Sequence, residues 1–220
     1  MDYENETLNA YRTADRALQY ELYHSRWWTW GHLATWFEQR AIARELNRYE
    51  WSALDMVLDI PCGTGVLWSL LRQFPFRLVA SDISAEMMSI GQKEHSLMHS
   101  TTVVQADITE TPFKRETFSC VLTIGFMHRV PLQIKRDALK EIARLSKRVV
   151  IVSCSIDTRL QRWKHTALRF VRRGHVPAPF PTHLTEMIDL CNSEGFRVVR
   201  NLSVIPFLSS HVILVLEKIS

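Results

Sequence analysis

Three aspartates stand at the ends of short apolar runs, in an order that could hold a nucleoside. Asp59 lies near the end of Met56, Val57, Leu58 and Ile60, Asp82 follows FRLVAS, and Asp107 comes shortly after TVVQ. Runs this short and rich in branched residues read as buried parallel strands, whose carboxyl ends are where open α/β sheets bind ligands. Between the first two acids, Cys62, Gly63, Thr64 and Gly65 make a tight loop, because glycine permits dihedrals and backbone approach that other residues do not. An acid about 20 residues beyond such a loop, on the next strand, accepts hydrogen bonds from both hydroxyls of a ribose, and Asp82 fits that place. Farther on, His128 and Arg129 follow a fourth apolar run, Phe118 to Gly125. An imidazole titrates near neutral pH, so His128 suits a general base and equally a wall of the pocket or a structural hydrogen-bond partner.

The loop separates two classes of adenosine cofactor. A dinucleotide site wants a third Gly or Ala, for close packing of the helix that carries the pyrophosphate. Here the position three after Gly65 is Trp68, and Pro61 precedes the loop, which weakens a nicotinamide reading. A turn that binds nothing remains the plain alternative for a short motif.

The remaining pattern supplies the elements that would position these residues. Val66, Leu67, Leu70 and Leu71 recur at helical spacing, so the loop runs from strand to helix. Ser84 caps the next helix. RDALKEIARL, from Arg136 to Leu145, reads as a helix leading into a fifth strand, Arg148 to Ser153. A further helix spans Thr182 to Gly195, with Thr182 as its cap and Gly195 as its stop. Phe196 to Ser203 and His211 to Lys218 are the last two strands, separated by Pro206.

The order of strand, Asp59, glycine loop, Asp82 and Asp107 resembles the class I methyltransferases that use S-adenosylmethionine. The resemblance runs from Val57 to Lys218 and implies a seven-stranded Rossmann-like α/β sheet. That sheet is mostly parallel, has helices on both faces, and ends in a hairpin that adds an antiparallel edge strand. It implies Asp59, Pro61, Gly63, Gly65, Asp82, Ile83, Asp107, Ile108, Thr123 and Gly125 for the cofactor. In the family, the acid placed as Asp59 orients the ammonium group, and the place of Asp107 and the Ile108 amide reads the adenine. His128 and Arg129 would face the methyl acceptor.

The domain organisation expected is a helical cap or lid over 1–50, then a methyltransferase domain over 51–220 with a basic helical insert at 157–181. The cap reads as helical from Ala10 to Tyr49, with Gly31 as a break. It gathers Tyr11, Tyr20, Tyr23, Trp27, Trp28, Trp30 and Trp36, which suit packing on the sheet or closing over the cofactor, with His24, Ser25 and Arg26 beside them. From Asp157 to His175 a single acid opposes Arg159, Arg162, Lys164, Arg169, Arg172 and Arg173, around an apolar face of Leu160, Trp163, Ala167, Phe170 and Val171. Such a helix reads as a solvated surface, as an interfacial helix on anionic lipid, or as a funnel for a phosphorylated or glycolipid substrate. It lacks the stacking aromatics of a single-strand platform, which argues against nucleic acid. Together with the aromatic helices, this insert resembles bacterial methyltransferases of lipopolysaccharide or other cell-surface glycans. A soluble metabolite such as a quinone precursor is the second acceptor class, and a non-catalytic, cofactor-binding protein partner of another enzyme is the third reading.

Composition agrees with a globular protein: 46% hydrophobic, 23% charged, net charge +4. Cys62, Cys120, Cys154 and Cys191 form no C-x-x-C pair and read as reduced, buried thiols, with no metal. With no apolar leader and no run long enough to span a bilayer, the expected place is the cytoplasm, with peripheral contact at the inner membrane through the insert.

Overall fold

The computed structural model describes residues 30–95, 101–157, 180–204 and 210–219. In chain order the elements are α1 (Trp30–Leu46), β1 (Met56–Asp59), α2 (Trp68–Leu71), β2 (Arg77–Asp82), α3 (Ala85–Glu94), β3 (Thr101–Gln105), β4 (Phe118–Thr123), a 3₁₀ turn (Met127–Arg129), α4 (Leu132–Leu145), β5 (Ser146–Ser155), α5 (Leu184–Ser193), β6 (Phe196–Ser203) and β7 (His211–Lys218). His24, Ser25, Arg26 and all of the basic insert except Asp157, Phe180 and Pro181 lie outside the described residues. No helix among the described residues is long and apolar enough to cross a membrane.

The seven strands form one sheet in the order β3-β2-β1-β4-β5-β7-β6. β1 to β5 run parallel, and β7 is antiparallel to both of its neighbours. The expected Rossmann-like sheet is therefore present, with one correction: β7 is not an edge strand. It inserts between β5 and β6, and its VILVL core explains why: Val212, Ile213, Leu214, Val215 and Leu216 are all buried, so both faces need cover. β6 takes the edge, with its exposed Arg197 and Asn201.

Alternate residues of each parallel strand feed two cores, as the two-residue period of a strand requires. Val79, Leu58, Val121, Val150 and Leu216 form one continuous row across the sheet, under Ala138, Leu139, Ile142 and Leu145 of α4 and Met187, Leu190 and Cys191 of α5. The opposite face packs Val57, Cys120, Leu122, Ile151 and Val215 against Ile42 and Leu46 of α1, Trp68 and Leu71 of α2, and Met88 of α3. Each such aliphatic side chain contributes roughly 1.5–3 kcal/mol when fully buried. All four cysteines are buried free thiols, and burial pushes Cys191 up to about 12, which keeps it protonated.

Local boundaries differ from expectation where a tertiary contact takes over. α4 begins at Leu132, four residues before Arg136, because Pro131 supplies the N-cap position and its carbonyl accepts from Lys135 N. Thr182 does not cap α5; its hydroxyl meets Lys135 Nζ and its backbone pairs with Ser155. Ser84 does cap α3, accepting from Met87 N at 3.2 Å. Gly31 lies within α1 and does not break it. Strand order reverses between β1 and β4, and a crevice at that reversal, at the strands' carboxyl ends, is where an open α/β sheet takes a ligand.

Candidate active site

The loop after β1 is built at that reversal. The Ile60–Pro61 peptide is cis. Cys62 N donates to Ser81 O at 2.8 Å, tying the exit of β1 to β2, and Gly65 N closes a turn on Cys62 O at 2.9 Å. Gly63 and Gly65 have φ of +53° and +77°, and a Cβ on Gly65 would meet the Trp68 ring at 2.5 Å. Glycine is thus required there twice over, by dihedral and by space. Trp68 is buried, and its ring fills the space that a third glycine would leave in a dinucleotide site.

Asp59 occupies the last rung of an apolar row, beside Ala80 and Leu122. Its Oδ2 is buried without a hydrogen-bond partner. Burial, and then the nearby Asp82 carboxylate, push Asp59 up to about 8; the Trp68 indole N–H pulls it down a little, although its geometry falls short of a hydrogen bond. Asp82 is also buried, but supported: Oδ2 accepts from Gly63 N at 2.8 Å and Oδ1 from Ser84 N at 2.9 Å. Burial raises its pKa, and the amides of Ser84, Gly63 and Ile83 oppose that rise. Each carboxylate oxygen keeps lone pairs for a further donor.

An apolar recess opens beside these acids, lined by Ile60, Pro61, Ile83, Ala106, Asp107, Ile108 and Phe126. Asp107 Oδ1 caps the turn below it, accepting from Thr109 N at 2.8 Å and Thr109 Oγ1 at 2.7 Å. Ala106 N donates to Asp82 O at 3.1 Å, and Gln105 Nε2 donates to Ile83 O at 2.9 Å, so the exits of β2 and β3 are tied together.

Across the reversal, Gly125 (φ +75°) donates its N–H to Ser153 Oγ at 2.8 Å, and its carbonyl accepts from Arg129 Nε at 2.8 Å. Thr123 Oγ1 and His128 Nδ1 are buried without partners. The His128 ring sits edge-on to His211, 4.8 Å between centroids. Burial, then the Arg129 guanidinium, the neighbouring His211 ring and the Lys135 ammonium, push His128 down to about 3, so the imidazole is neutral at physiological pH. Burial and Arg129 lower His211 as well.

The structure brings Pro61, Ile83, Asp107 and Ile108 to one recess, with Asp59, Gly63, Gly65 and Asp82 around the adjoining loop and Gly125, His128 and Arg129 beyond it. Thr123 is fully buried in β4. Sequence reasoning missed Glu38, Gly91, Ser153 and His211. For Glu38 the signal was present: it stands in the row Glu38, Ile42, Leu46, where a buried helix face calls for an apolar residue.

The family comparison fits this geometry, because residues 57–148, from β1 into β5, match the model of the Methyltransferase domain family. Residues 57–148, which hold the glycine loop and all three aspartates, are thus similar to that family. A demethylmenaquinone methyltransferase of Clavibacter sepedonicus is 31% identical over 124 residues, 55% of this chain and 46% of that protein. The chain thus spans about half the length of the curated relatives it matches. Magnesium protoporphyrin IX methyltransferase from Synechocystis PCC 6803, solved with bound SAH, superposes with a TM-score of 0.76 at 15% identity, over 96% of this chain and 97% of that one. Human N-acetylserotonin methyltransferase, solved with SAM, gives 0.71 at 15% identity, over all of this chain and 61% of that one. At that identity the likeness is one of fold.

The residues of the loop and recess fit S-adenosylmethionine. Gly63 and Gly65 leave a backbone without side chains, Asp59 Oδ2 awaits a donor, and the recess beside Asp107 is apolar enough for a purine face.

Proposed function

We propose that this chain transfers a methyl group from S-adenosylmethionine to a small conjugated metabolite of the quinone-precursor kind. The supporting observation is the juxtaposition of two unlike halves: a cofactor half, with an unpaired buried acid beside a glycine loop and apolar recess, and a second half of neutral imidazoles and one guanidinium. The matched relative's name, demethylmenaquinone methyltransferase, favours that acceptor class.

When bound, S-adenosylmethionine supplies a methyl carbon on a positively charged sulfur that leaves as a neutral thioether. The protein's part is then alignment and exclusion of water. Asp59 receives the cofactor's ammonium, Asp82 its ribose, and Asp107 with the Ile108 amide its adenine. Ile83 and Phe126 wall the recess, with Pro61, Thr123 and Gly125 shaping the loops beside it. Arg129, held by the Gly125 carbonyl, offers charge to an acceptor oxygen, and neutral His128 offers a hydrogen bond. α1 is the inner part of a cap over these groups. The basic residues of 157–181 support the other acceptor class, a glycan- or lipid-linked anion met at an anionic membrane.

One assay decides among these. Radiolabelled S-adenosylmethionine is incubated with cell extract, which is then separated into quinone, glycolipid, protein, RNA and small-molecule fractions. Label in the quinone fraction, lost with Asp82→Ala together with S-adenosylhomocysteine binding, is the expected result. Label in glycolipid would replace the acceptor class, and no label with intact cofactor binding would leave a regulatory partner.

A further inference from the structure

Lys135 stands in the first turn of α4 and is almost wholly buried. That is a poor place for an ammonium group. Burial strips its hydration, and the positive end of the helix dipole lies in the same turn. Among the described residues no carboxylate pairs with it; Nζ donates to the Phe180 carbonyl at 2.8 Å and to the Thr182 hydroxyl. Burial pulls its pKa below the usual lysine value, opposed by Cys154 and Glu186. An apolar side chain of similar length would avoid the desolvation, so the charge is explained by what it holds.

It holds residues 180–182, where the chain rejoins the described fold after 158–179. Ile156 and Thr182 form a parallel bridge, with Thr182 N donating to Ser155 O and Asp157 N to Thr182 O, both at 3.2 Å. On the other side, Phe180 N donates to His128 O at 2.7 Å. Phe180 is thus bonded through its N–H to the 3₁₀ turn and through its carbonyl to α4. The same turn carries Arg129, whose Nε reaches Gly125 O at 2.8 Å. The His128 ring lies edge-on to His211, and its Nδ1 is buried without a partner. His128 is therefore fixed at its ring by β7 and at its backbone by Phe180, with one nitrogen left open.

We propose that Lys135 is a positioning residue of the acceptor site, holding residues 180–182 against the 3₁₀ turn so that His128 and Arg129 meet the acceptor in one geometry. This rests on the methyltransferase reading above. Lys135 itself touches neither methyl donor nor acceptor. Without its ammonium, Phe180 O and Thr182 Oγ1 lose a donor in a buried place, and only backbone bonds keep the segment on the turn. A misplacement of about 1 Å at reacting groups costs up to about 100-fold in rate, so a support one residue removed from His128 bears on turnover. Among the described residues the glycine loop and Asp82 share no hydrogen bond with 180–182, so cofactor binding is independent of it.

The test uses the full chain, S-adenosylmethionine and demethylmenaquinol as the probe acceptor, with Lys135→Met, Thr182→Val and the double variant beside the wild type. Lys135→Met should lose about 10- to 100-fold in kcat with little change in KM, while S-adenosylhomocysteine binds as it binds the wild type by calorimetry. Thr182→Val should cost less, and nothing further once Lys135→Met is present. Hydrogen exchange gives a reading without turnover: the Phe180 amide should exchange about tenfold faster in Lys135→Met, with the amides of β1 and β4 unchanged. Unchanged exchange at Phe180, or kcat close to the wild type, overturns the proposal. A parallel loss of S-adenosylhomocysteine affinity also overturns it, making Lys135 a support of the whole fold. An undiminished Thr182→Val effect in the Lys135→Met background overturns the link between the two. No transfer by the wild type overturns the acceptor reading, and the role of Lys135 falls with it.

Discussion

A Cβ on Gly91 would stand 2.7 Å from the carbonyl oxygen of Thr64, so the second turn of α3 packs directly on the cofactor loop. The contact is with backbone, which cannot rotate away. Helix propensity alone makes Gly91→Ala stabilising by about 1 kcal/mol, and overpacking opposes it by about 1–3 kcal/mol. Since the clash falls on a loop held at both ends, the steric cost should prevail. Gly91→Ala is expected to lower urea stability and weaken S-adenosylhomocysteine binding tenfold or more. Gain of stability with unchanged affinity would show that the loop yields freely.

Asp59 links cofactor binding to pH. Its folded pKa of about 8 lies above the usual carboxylate value, so at pH 7 the free domain holds it mostly protonated. An ammonium group delivered to Oδ2 favours the carboxylate, and binding should release nearly one proton. Calorimetry of S-adenosylmethionine binding in two buffers of different ionisation enthalpy measures this, and Asp59→Asn should abolish the release. Stability follows the same sign: between pH 3.8 and about 8 the folded state binds the extra proton, so wild-type stability falls as pH rises through that window. Asp59→Asn escapes the fall and should gain on the wild type towards pH 8.

Glu141 shows the opposite sign. Burial raises its pKa, but bonds from Arg144 and from both Thr111 N and Oγ1 outweigh that and bring it down to about 2. Its contribution is therefore full above pH 4.5 and lost as pH falls through about 2. Arg144 is partly exposed, so Glu141→Gln should cost only about 1–2 kcal/mol at pH 7, the gap closing in acid. Thr111 anchors the turn that carries Asp107 and Ile108, and a modest loss of cofactor affinity should accompany the substitution. Thermal unfolding at pH 7 and pH 3 checks the sign; an equal gap at both would refute it.

The cofactor half of the site was legible because it depends on local order. Asp59, Gly63, Gly65, Asp82 and Asp107 follow strands whose apolar runs are contiguous, and each acid's place is fixed within a few residues of its strand. The acceptor half depends on contacts between distant segments. His128 meets His211, and Gly125 N meets Ser153 Oγ, each across segments far apart in the chain. No spacing rule joins those pairs; the position of β7 between β5 and β6 brings His211 in, and reading the final hairpin as adding an outer strand concealed it. Gly91 was hidden for a different reason. A glycine inside a helical pattern reads as a small penalty, and its purpose appears only when the loop opposite is in place.

The docking of α1 gives a last test. Near its C-terminal end the Glu45 carboxylate, almost wholly buried, is shared by Arg200 of the edge strand β6 and by Arg48, whose Nε lies 3.1 Å away. Arg200 also donates to the Tyr49 hydroxyl at 2.8 Å. Removing Arg200 leaves a buried carboxylate with only an exposed arginine to neutralise it, which costs far more than the pair itself contributes. Arg200→Ala should therefore lose about 2–4 kcal/mol, whereas Arg200→Ala with Glu45→Gln should recover most of that loss. A double-mutant cycle by urea unfolding measures the coupling. Additive losses would mean that the Glu45–Arg200 pair contributes nothing of its own to the docking of α1.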